Sequence, residues 1–169
     1  MADRNARQNK DLKRRSDTIR SETAPGGEAD PALADAQRVL YESGLANRRA
    51  VLGDDWVEAS LARRTPFTAD FQAMITRYAW QEVWGRPGLD HRTRRLLVVA
   101  ITASLGRWEE FRLHVRAGLS HGGFSREELK ETLMQTAIYA GVPAANTAFA
   151  EAAAVIASLD DEAEAAKNS

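Results

Sequence analysis

The chain has 169 residues, of which 44% are hydrophobic and 28% are charged, and this composition is typical of one globular domain with a substantial core. Its 23 Lys and Arg residues nearly balance its 24 Asp and Glu residues, so the net charge of -1 gives no electrostatic reason to expect a nucleic-acid partner. The absence of cysteine excludes disulfide scaffolds, Cys-ligated zinc, thiol nucleophiles and dithiol redox chemistry.

The first 29 residues are polar, with seven basic residues among the first twenty and a Gly- and Pro-rich stretch after them. Such a segment buries too little apolar surface to offset the entropy that it would lose on ordering. It also lacks the apolar stretch of a secretory signal, and no run in the chain approaches the roughly 20 apolar residues of a membrane span. We therefore expect residues 1–29 to be a disordered basic arm, and the protein to be cytoplasmic with no membrane partner.

From Asp30 onward, apolar residues recur at helical spacing in seven segments. These segments cover residues 30–52, 54–62, 65–84, 89–105, 107–121, 125–140 and 144–159. Asp30 before Pro31 is typical of a helix start, Ser125 and Glu128 form a capping box, and Gly106 is typical of a helix end.

The fourth segment is apolar nearly all round over residues 96–101, which indicates burial on several sides. No strand alternation and no hairpin turn is visible in the sequence. We therefore predict an all-α, single-domain multi-helix bundle over residues 30–159, followed by a disordered tail over residues 160–169.

One face of the helix predicted after Gly106 carries the residues best suited to chemistry. Glu110 and His114 are four residues apart, so the carboxylate can hydrogen-bond the imidazole and raise its pKa, which suits a general acid. The same pair is also common as a solvated contact on surface helices. On the aromatic segment before it, Arg77 beside Tyr78 can clamp a carboxylate bidentately, although such aromatic residues more often build core.

The sequence does not predict a metal site. His91, His114 and His121 are its only histidines, and their spacing does not match a ligand set. The fingerprints of nucleotide binding, zinc proteases and α/β-hydrolases are absent as well.

Five segments carry a resemblance to a known family: ITRYAW, LDHRTR, LGRWEEFRLHVRAGL, QTAIYAGVPAAN and, upstream, GLANRRAVLGDDWVEASL. Residues 40–156 closely resemble the carboxymuconolactone decarboxylase family, within the alkylhydroperoxidase-D-like superfamily.

The resemblance also shows two departures from the peroxidases of that superfamily, which use a Cys-x-x-Cys motif followed by a histidine. Aligned through His114, the two cysteine positions fall at Arg107 and Glu110. The acidic residue that the peroxidases place on the preceding helix corresponds to Arg95. The chain is therefore similar to the cysteine-free decarboxylases, and thiol peroxidase chemistry is excluded.

The resemblance implies a reaction, namely decarboxylation of 4-carboxymuconolactone to 3-oxoadipate enol-lactone in the protocatechuate branch of the β-ketoadipate pathway. The substrate is a five-membered unsaturated lactone with a ring carboxylate and an acetate arm. Loss of CO2 sends electrons through the ring double bond to the lactone carbonyl, so the intermediate is a dienolate. No metal and no cofactor is expected for this step.

Under this resemblance, His114 is the expected general acid or oxyanion donor. Glu110 would orient His114 and keep it protonated, with Glu109 as the alternative if the helix is rotated. Arg77 and Arg116 would bind the two carboxylates of the substrate.

Trp80 would form a dry wall against the ring of the substrate. Asn146, placed by the turn at residues 141–143, would point toward a neighbouring helix, although a position near a helix N-cap explains it equally. The resemblance also implies a ring-like homo-oligomer, a trimer or a hexamer, with sites close to subunit interfaces.

Two alternatives stay open. The same scaffold can act on a related lactone or β-keto acid, and a substrate with one carboxylate would need only one arginine. A non-catalytic oligomeric binding protein is the other alternative; it would use the basic arm for its partner and would not need Glu110 or His114.

Overall fold

The computed structural model describes residues 30–121 and 123–168, so the predicted arm over residues 1–29 lies outside the described residues. Every regular element in the described part is helical, which confirms the prediction of an all-α fold. The elements are α1 (Pro31–Leu52), α2 (Asp54–Ala62), α3 (Pro66–Ile75), a π-helical segment (Thr76–Val83), α4 (His91–Leu105), α5 (Trp108–Ser120), α6 (Arg126–Ala140) and α7 (Val142–Lys167). Residues from Gln37 onward form one compact unit, to which the following description applies.

Local sequence explains most of the helix ends. The Asp90 side chain accepts a hydrogen bond from the backbone N–H of Thr93 at the start of α4, at 2.7 Å. Gly106 ends α4 in the left-handed conformation, with φ of 64°. Ser125 and Glu128 form the predicted capping box at the start of α6.

The last helix is longer than the sequence analysis predicted. α7 begins at Val142, directly after Gly141, and continues through Lys167, so residues 160–167 are helical where a disordered tail was expected. Two ion pairs connect the first turn of this extension to the bundle, because Arg126 contacts Asp160 and Arg116 contacts Glu162. Pairs between residues so far apart in sequence are not visible in a periodicity pattern.

Within the described residues, α7 is also the one helix long and apolar enough to cross a membrane by length and composition alone. It packs against α4, α5 and α6. A helix packed inside a helical bundle can be equally long and equally apolar, so the length and composition of α7 do not identify it as a membrane span.

Two clusters of buried side chains form the core. The first lies between α4, α5, α6 and α7 and contains Val99, Ala103, Phe111, Val115, Phe124, Leu129, Leu133, Ala148, Ala152 and Val155. The second lies between α1, α2, the π-helical segment and α5 and contains Val51, Leu52, Val57, Trp80, Trp84 and Ala117. Helix α5 therefore contributes to both clusters.

The segment over residues 65–84, predicted as a single helix, changes its winding at Thr76. α3 ends there and the chain continues as a π-helix, in which hydrogen bonds reach back five residues rather than four. The backbone N–H of Trp84 accordingly donates to the carbonyl of Ala79 at 3.0 Å. The wider winding leaves Trp80 and Trp84 stacked, with ring centroids 5.2 Å apart.

Helix α1 supports the π-helical segment at close range. A Cβ atom on Gly44 would lie 2.1 Å from the carbonyl oxygen of Thr76, so only glycine permits this approach. Next to it, Asn47 Nδ2 donates to the Trp80 carbonyl at 3.0 Å and to Gln81 Oε1 at 3.2 Å. The π-helical winding is thus stabilised by contacts from another helix.

We expect Gly44→Ala to lower the free energy of unfolding by about 1–3 kcal/mol, because the new methyl group would meet backbone atoms that cannot move independently. Helix propensity alone would make this substitution stabilising, so a loss of stability can be attributed to the steric contact. Urea unfolding followed by circular dichroism measures the change. Gly88→Ala is the matched control, since a Cβ there has no neighbour within 4 Å, and equal stability of the two variants would contradict the prediction.

Candidate active site

His114 lies on α5 where the two core clusters meet, and only 8% of its surface is exposed. Its ring stacks on Trp84 with centroids 5.8 Å apart and planes only 5° from parallel. Trp84 in turn stacks on Trp80. His91, at the start of α4, makes an edge-to-face contact with Trp84, with ring centroids 6.0 Å apart. The imidazole is therefore the end of a buried aromatic stack.

The two ring nitrogens of His114 differ in their surroundings. Nδ1 is fully buried and has no hydrogen-bond partner among the described residues, whereas Nε2 is not fully buried. An unpaired buried N–H is costlier than an unpaired lone pair, so this environment favours the neutral tautomer that carries its proton on Nε2. The side chain then presents an N–H donor on its accessible side.

Burial and, to a smaller extent, the positive charge of Arg95 together lower the pKa of His114 from 6.5 to about 4, although the negative charge of Glu110 opposes both. The prediction of a raised pKa is therefore wrong, and the imidazole is neutral at pH 7. The cause is the tertiary environment, because the aromatic stack and the arginine come from other helices.

Glu110 lies exposed in the first turn of α5, together with Glu109. It makes no hydrogen bond with His114, and its effect on the imidazole is electrostatic. Negative charges in a first turn also complement the helix dipole, which gives both carboxylates a structural role. Of the two, Glu110 is the one whose charge acts on His114.

Arg95 on α4 is the charged residue at this site that the sequence analysis did not assign to it. It is 3% exposed, and its guanidinium donates to the carbonyls of Ala50 at 2.9 Å, Val51 at 2.8 Å and Ala117 at 3.5 Å. The sequence does contain a signal, because Arg95 shares a helical stripe with the buried Val99. A cation on the buried stripe of a core helix is unusual and points to a specific environment.

Trp84 is the other residue that sequence reasoning left out of the site. It follows Trp80 by four residues, a spacing that puts both indoles on one side of the segment. Trp80 itself was predicted as an apolar wall, and the structure brings it to His114 through Trp84.

The remaining predicted residues lie in different places. Arg77 is half-buried on the π-helical segment and makes no hydrogen bond or ion pair with any described residue. Arg116 faces α7, where it donates to Ser158 Oγ at 2.7 Å and to Glu162 at 3.0 Å, so its charge is already matched. Asn146 is exposed near the start of α7. Within this chain, neither Arg116 nor Asn146 joins the aromatic stack.

Comparison of the sequence with known proteins assigns the chain to a family. Residues 69–154 match the Carboxymuconolactone decarboxylase family. The chain is 45% identical to a 4-carboxymuconolactone decarboxylase of Acinetobacter baylyi over 116 residues, which is 69% of this chain and 84% of that protein. It is 36% identical to a nitrosuccinic acid decarboxylase of Metarhizium robertsii over 115 residues, which is 68% of this chain and 80% of that protein.

A third relative, a 4-carboxymuconolactone decarboxylase of Pseudomonas putida, is 49% identical over 43 residues, which is 25% of this chain and 90% of that sequence. The matched family region, residues 69–154, includes the π-helical segment, α4 and α5, and therefore every residue of the aromatic stack. This chain belongs to the carboxymuconolactone decarboxylase family.

Proposed function

We propose that this decarboxylase acts on 4-carboxymuconolactone and releases CO2 and 3-oxoadipate enol-lactone, without a cofactor, in the protocatechuate branch of the β-ketoadipate pathway. The main support is the similarity to a protein of that name over 84% of its length. The chemistry of His114 supports the same reaction, because a neutral N–H donor in a mostly apolar site suits an intermediate whose charge collects on one oxygen.

In the proposed mechanism, the bond between the ring carbon and the departing carboxylate breaks, and its electron pair passes through the ring double bond to the lactone carbonyl oxygen. His114 Nε2–H donates a hydrogen bond to that oxygen as its charge grows. A proton taken up from solvent at the ring carbon next to the carbonyl completes the product. In this mechanism His114 acts as the oxyanion donor and not as a general acid, because its imidazole is neutral.

Three further side chains have proposed roles. Trp80 and Trp84 shield one side of the site from water, which strengthens the hydrogen bond to the developing anion. Arg77, whose guanidinium has no partner among the described residues, binds the acetate arm of the substrate. Arg116 is less suited to a second carboxylate, since Glu162 already occupies its guanidinium.

The similarity to nitrosuccinic acid decarboxylase supports a second candidate substrate class. Loss of CO2 from either a carboxylated unsaturated lactone or a nitro acid leaves a carbanion whose charge moves onto oxygen. The same N–H donor would serve both reactions.

The test is an assay of the purified protein with enzymatically generated 4-carboxymuconolactone, and in parallel with nitrosuccinate, in the presence of a chelator. Lactone loss with matching CO2 release supports the proposal. Turnover of nitrosuccinate alone supports the second candidate. No turnover of either, from protein shown to be folded, contradicts both and favours a binding protein.

We also propose that the chain forms a closed homo-oligomer, a trimer or a hexamer. Two different apolar surfaces support this proposal. One lies on α3 and the π-helical segment, where Phe67 is 95% exposed and Phe71 and Tyr78 are exposed as well. The other is a cleft of about 670 Å³ between α4 and α6, lined by Leu97, Ile101 and Tyr139 among others. Surfaces of this kind are rare on monomers, and two unlike surfaces on one chain are typical of head-to-tail rings.

We expect Tyr139→Glu to lower the oligomer mass measured by light scattering after gel filtration, because it places a charge in the apolar cleft between α4 and α6. Arg64→Glu also introduces a carboxylate, but at an exposed position outside both surfaces, so it should leave the mass unchanged. A monomeric wild-type protein, or a Tyr139 variant with the wild-type mass, would contradict the proposed interface.

A further inference from the structure

We infer that Arg95 is a positioning residue of this active site, which ties α5 to the C-terminal end of α1 and keeps the adjacent imidazole of His114 in its neutral, donor form. The inference rests on the proposed role of His114 as the oxyanion donor. It is carried by the contacts of the guanidinium and by the charges around the imidazole.

The hydrogen bonds of Arg95 connect three helices. Nη2 donates to the carbonyls of Ala50 and Val51, at the end of α1, where helix carbonyls lack partners within the helix. Nη1 donates to the carbonyl of Ala117, which follows His114 by three residues on α5. Arg95 on α4 therefore fixes the turn of α5 that carries the imidazole.

The guanidinium is closely enclosed, with its charge unpaired. A Cβ atom on Gly123 would lie 2.1 Å from Nη1, so any larger residue there would displace the guanidinium of Arg95. Nε has no hydrogen-bond partner, and the acceptors of the guanidinium in the described part of the chain are backbone carbonyls rather than carboxylates. A buried cation without an anion is unfavourable for stability, and such groups are typical of functional sites.

The other charged groups around α5 do not supply a second positive charge that acts on the imidazole. On α5 itself, Glu110 acts on His114 from an exposed position and favours the protonated form. Trp84, the residue directly after the π-helical segment, contacts the imidazole with an uncharged indole ring.

Helix α7 faces α5 with Glu151 and Glu162, and these carboxylates pair with Arg112 and Arg116. Among the described residues, Arg95 therefore supplies the unmatched positive charge that acts on His114.

The experiment measures the pKa of His114 directly, by NMR titration of the full chain carrying ¹³C-labelled histidine. Arg95→Gln removes the charge but keeps an amide donor for the carbonyls, and we expect it to raise the pKa of His114 by about one pH unit. Arg95→Lys keeps the charge, and we expect a pKa close to that of the wild-type protein. This readout does not depend on turnover, so failure of the inference can be told apart from failure of the proposed reaction.

Arg48→Gln is the matched control. Arg48 is also a buried arginine whose Nε lacks a partner, but it donates to Ser60 and lies over the ring of Trp56. We expect this control to leave the pKa of His114 unchanged.

Equal pKa values for His114 in the Gln and Lys variants of Arg95, or an equal shift in the Arg48 control, would reduce Arg95 to a structural role and overturn the inference. If Arg95→Gln does not fold, the wild-type titration can still overturn the inference, because a His114 pKa at or above 6.5 contradicts it.

Discussion

We expect His114→Leu to lower kcat for 4-carboxymuconolactone by about 10²–10³-fold, the usual cost of removing one oxyanion donor. The KM should change far less, because the donor acts on charge that exists only as CO2 departs. Leucine fills much of the volume of the imidazole, so the stack on Trp84 loses its polar end without a large cavity. Steady-state kinetics at pH 7 measures both constants.

A second substitution distinguishes the two chemical roles of His114. His114→Gln retains an N–H donor near the position of Nε2, so it should recover part of the activity lost in the leucine variant. A general acid would not be replaced by an amide, and equal activities of the two variants would therefore contradict the donor role. His121→Gln is the matched control; His121 follows α5 directly and packs against Gly53, away from the stack, so its variant should retain full activity.

The same imidazole is expected to make the stability of the protein depend on pH. In the unfolded chain the pKa of His114 is near 6.5, whereas in the folded protein it is about 4. Between these values the unfolded state binds more protons, so the stability is fully present above pH 6.5 and is lost as the pH falls toward 4. The difference between the pKa values of His114 in the unfolded and folded states corresponds to about 3 kcal/mol of unfolding free energy.

Urea unfolding at several pH values between 4.5 and 7.5, at one fixed protein concentration, measures this effect. Asp90, Asp160 and Glu162 also have lowered pKa values, because each accepts hydrogen bonds, and they add to the acid sensitivity. His114→Leu leaves these carboxylates in place. The difference between the two pH profiles therefore isolates His114, and parallel profiles would show that the imidazole is not buried in its neutral form.

The sequence was sufficient to predict features that depend on neighbouring residues. The helix start at Asp30 and Pro31, the capping box at Ser125 and the glycine end at Gly106 all occur as predicted, because each depends on contacts within one turn. The position of His114 on an amphipathic α5 followed from periodicity for the same reason.

Features that depend on distant contacts were not predictable in this way. The π-helical winding after Thr76 depends on Gly44 and Asn47, which approach from α1. The neutral state of His114 depends on burial and on Arg95, and a search limited to its own helix identified Glu110 as the partner. In both cases the deciding neighbour lies on another helix.

The position of α5 between two core clusters has a consequence for the dynamics of the site. Since residues of α5 contribute to both clusters, neither cluster can open without exposing apolar surface on this helix. The amides around His114 should therefore exchange with deuterated solvent only through global unfolding, whereas amides at the ends of α7 exchange by local fraying. Helix α5 is then among the most protected parts of the molecule, and access of a substrate to His114 must come from motions of the surrounding segments rather than from α5 itself.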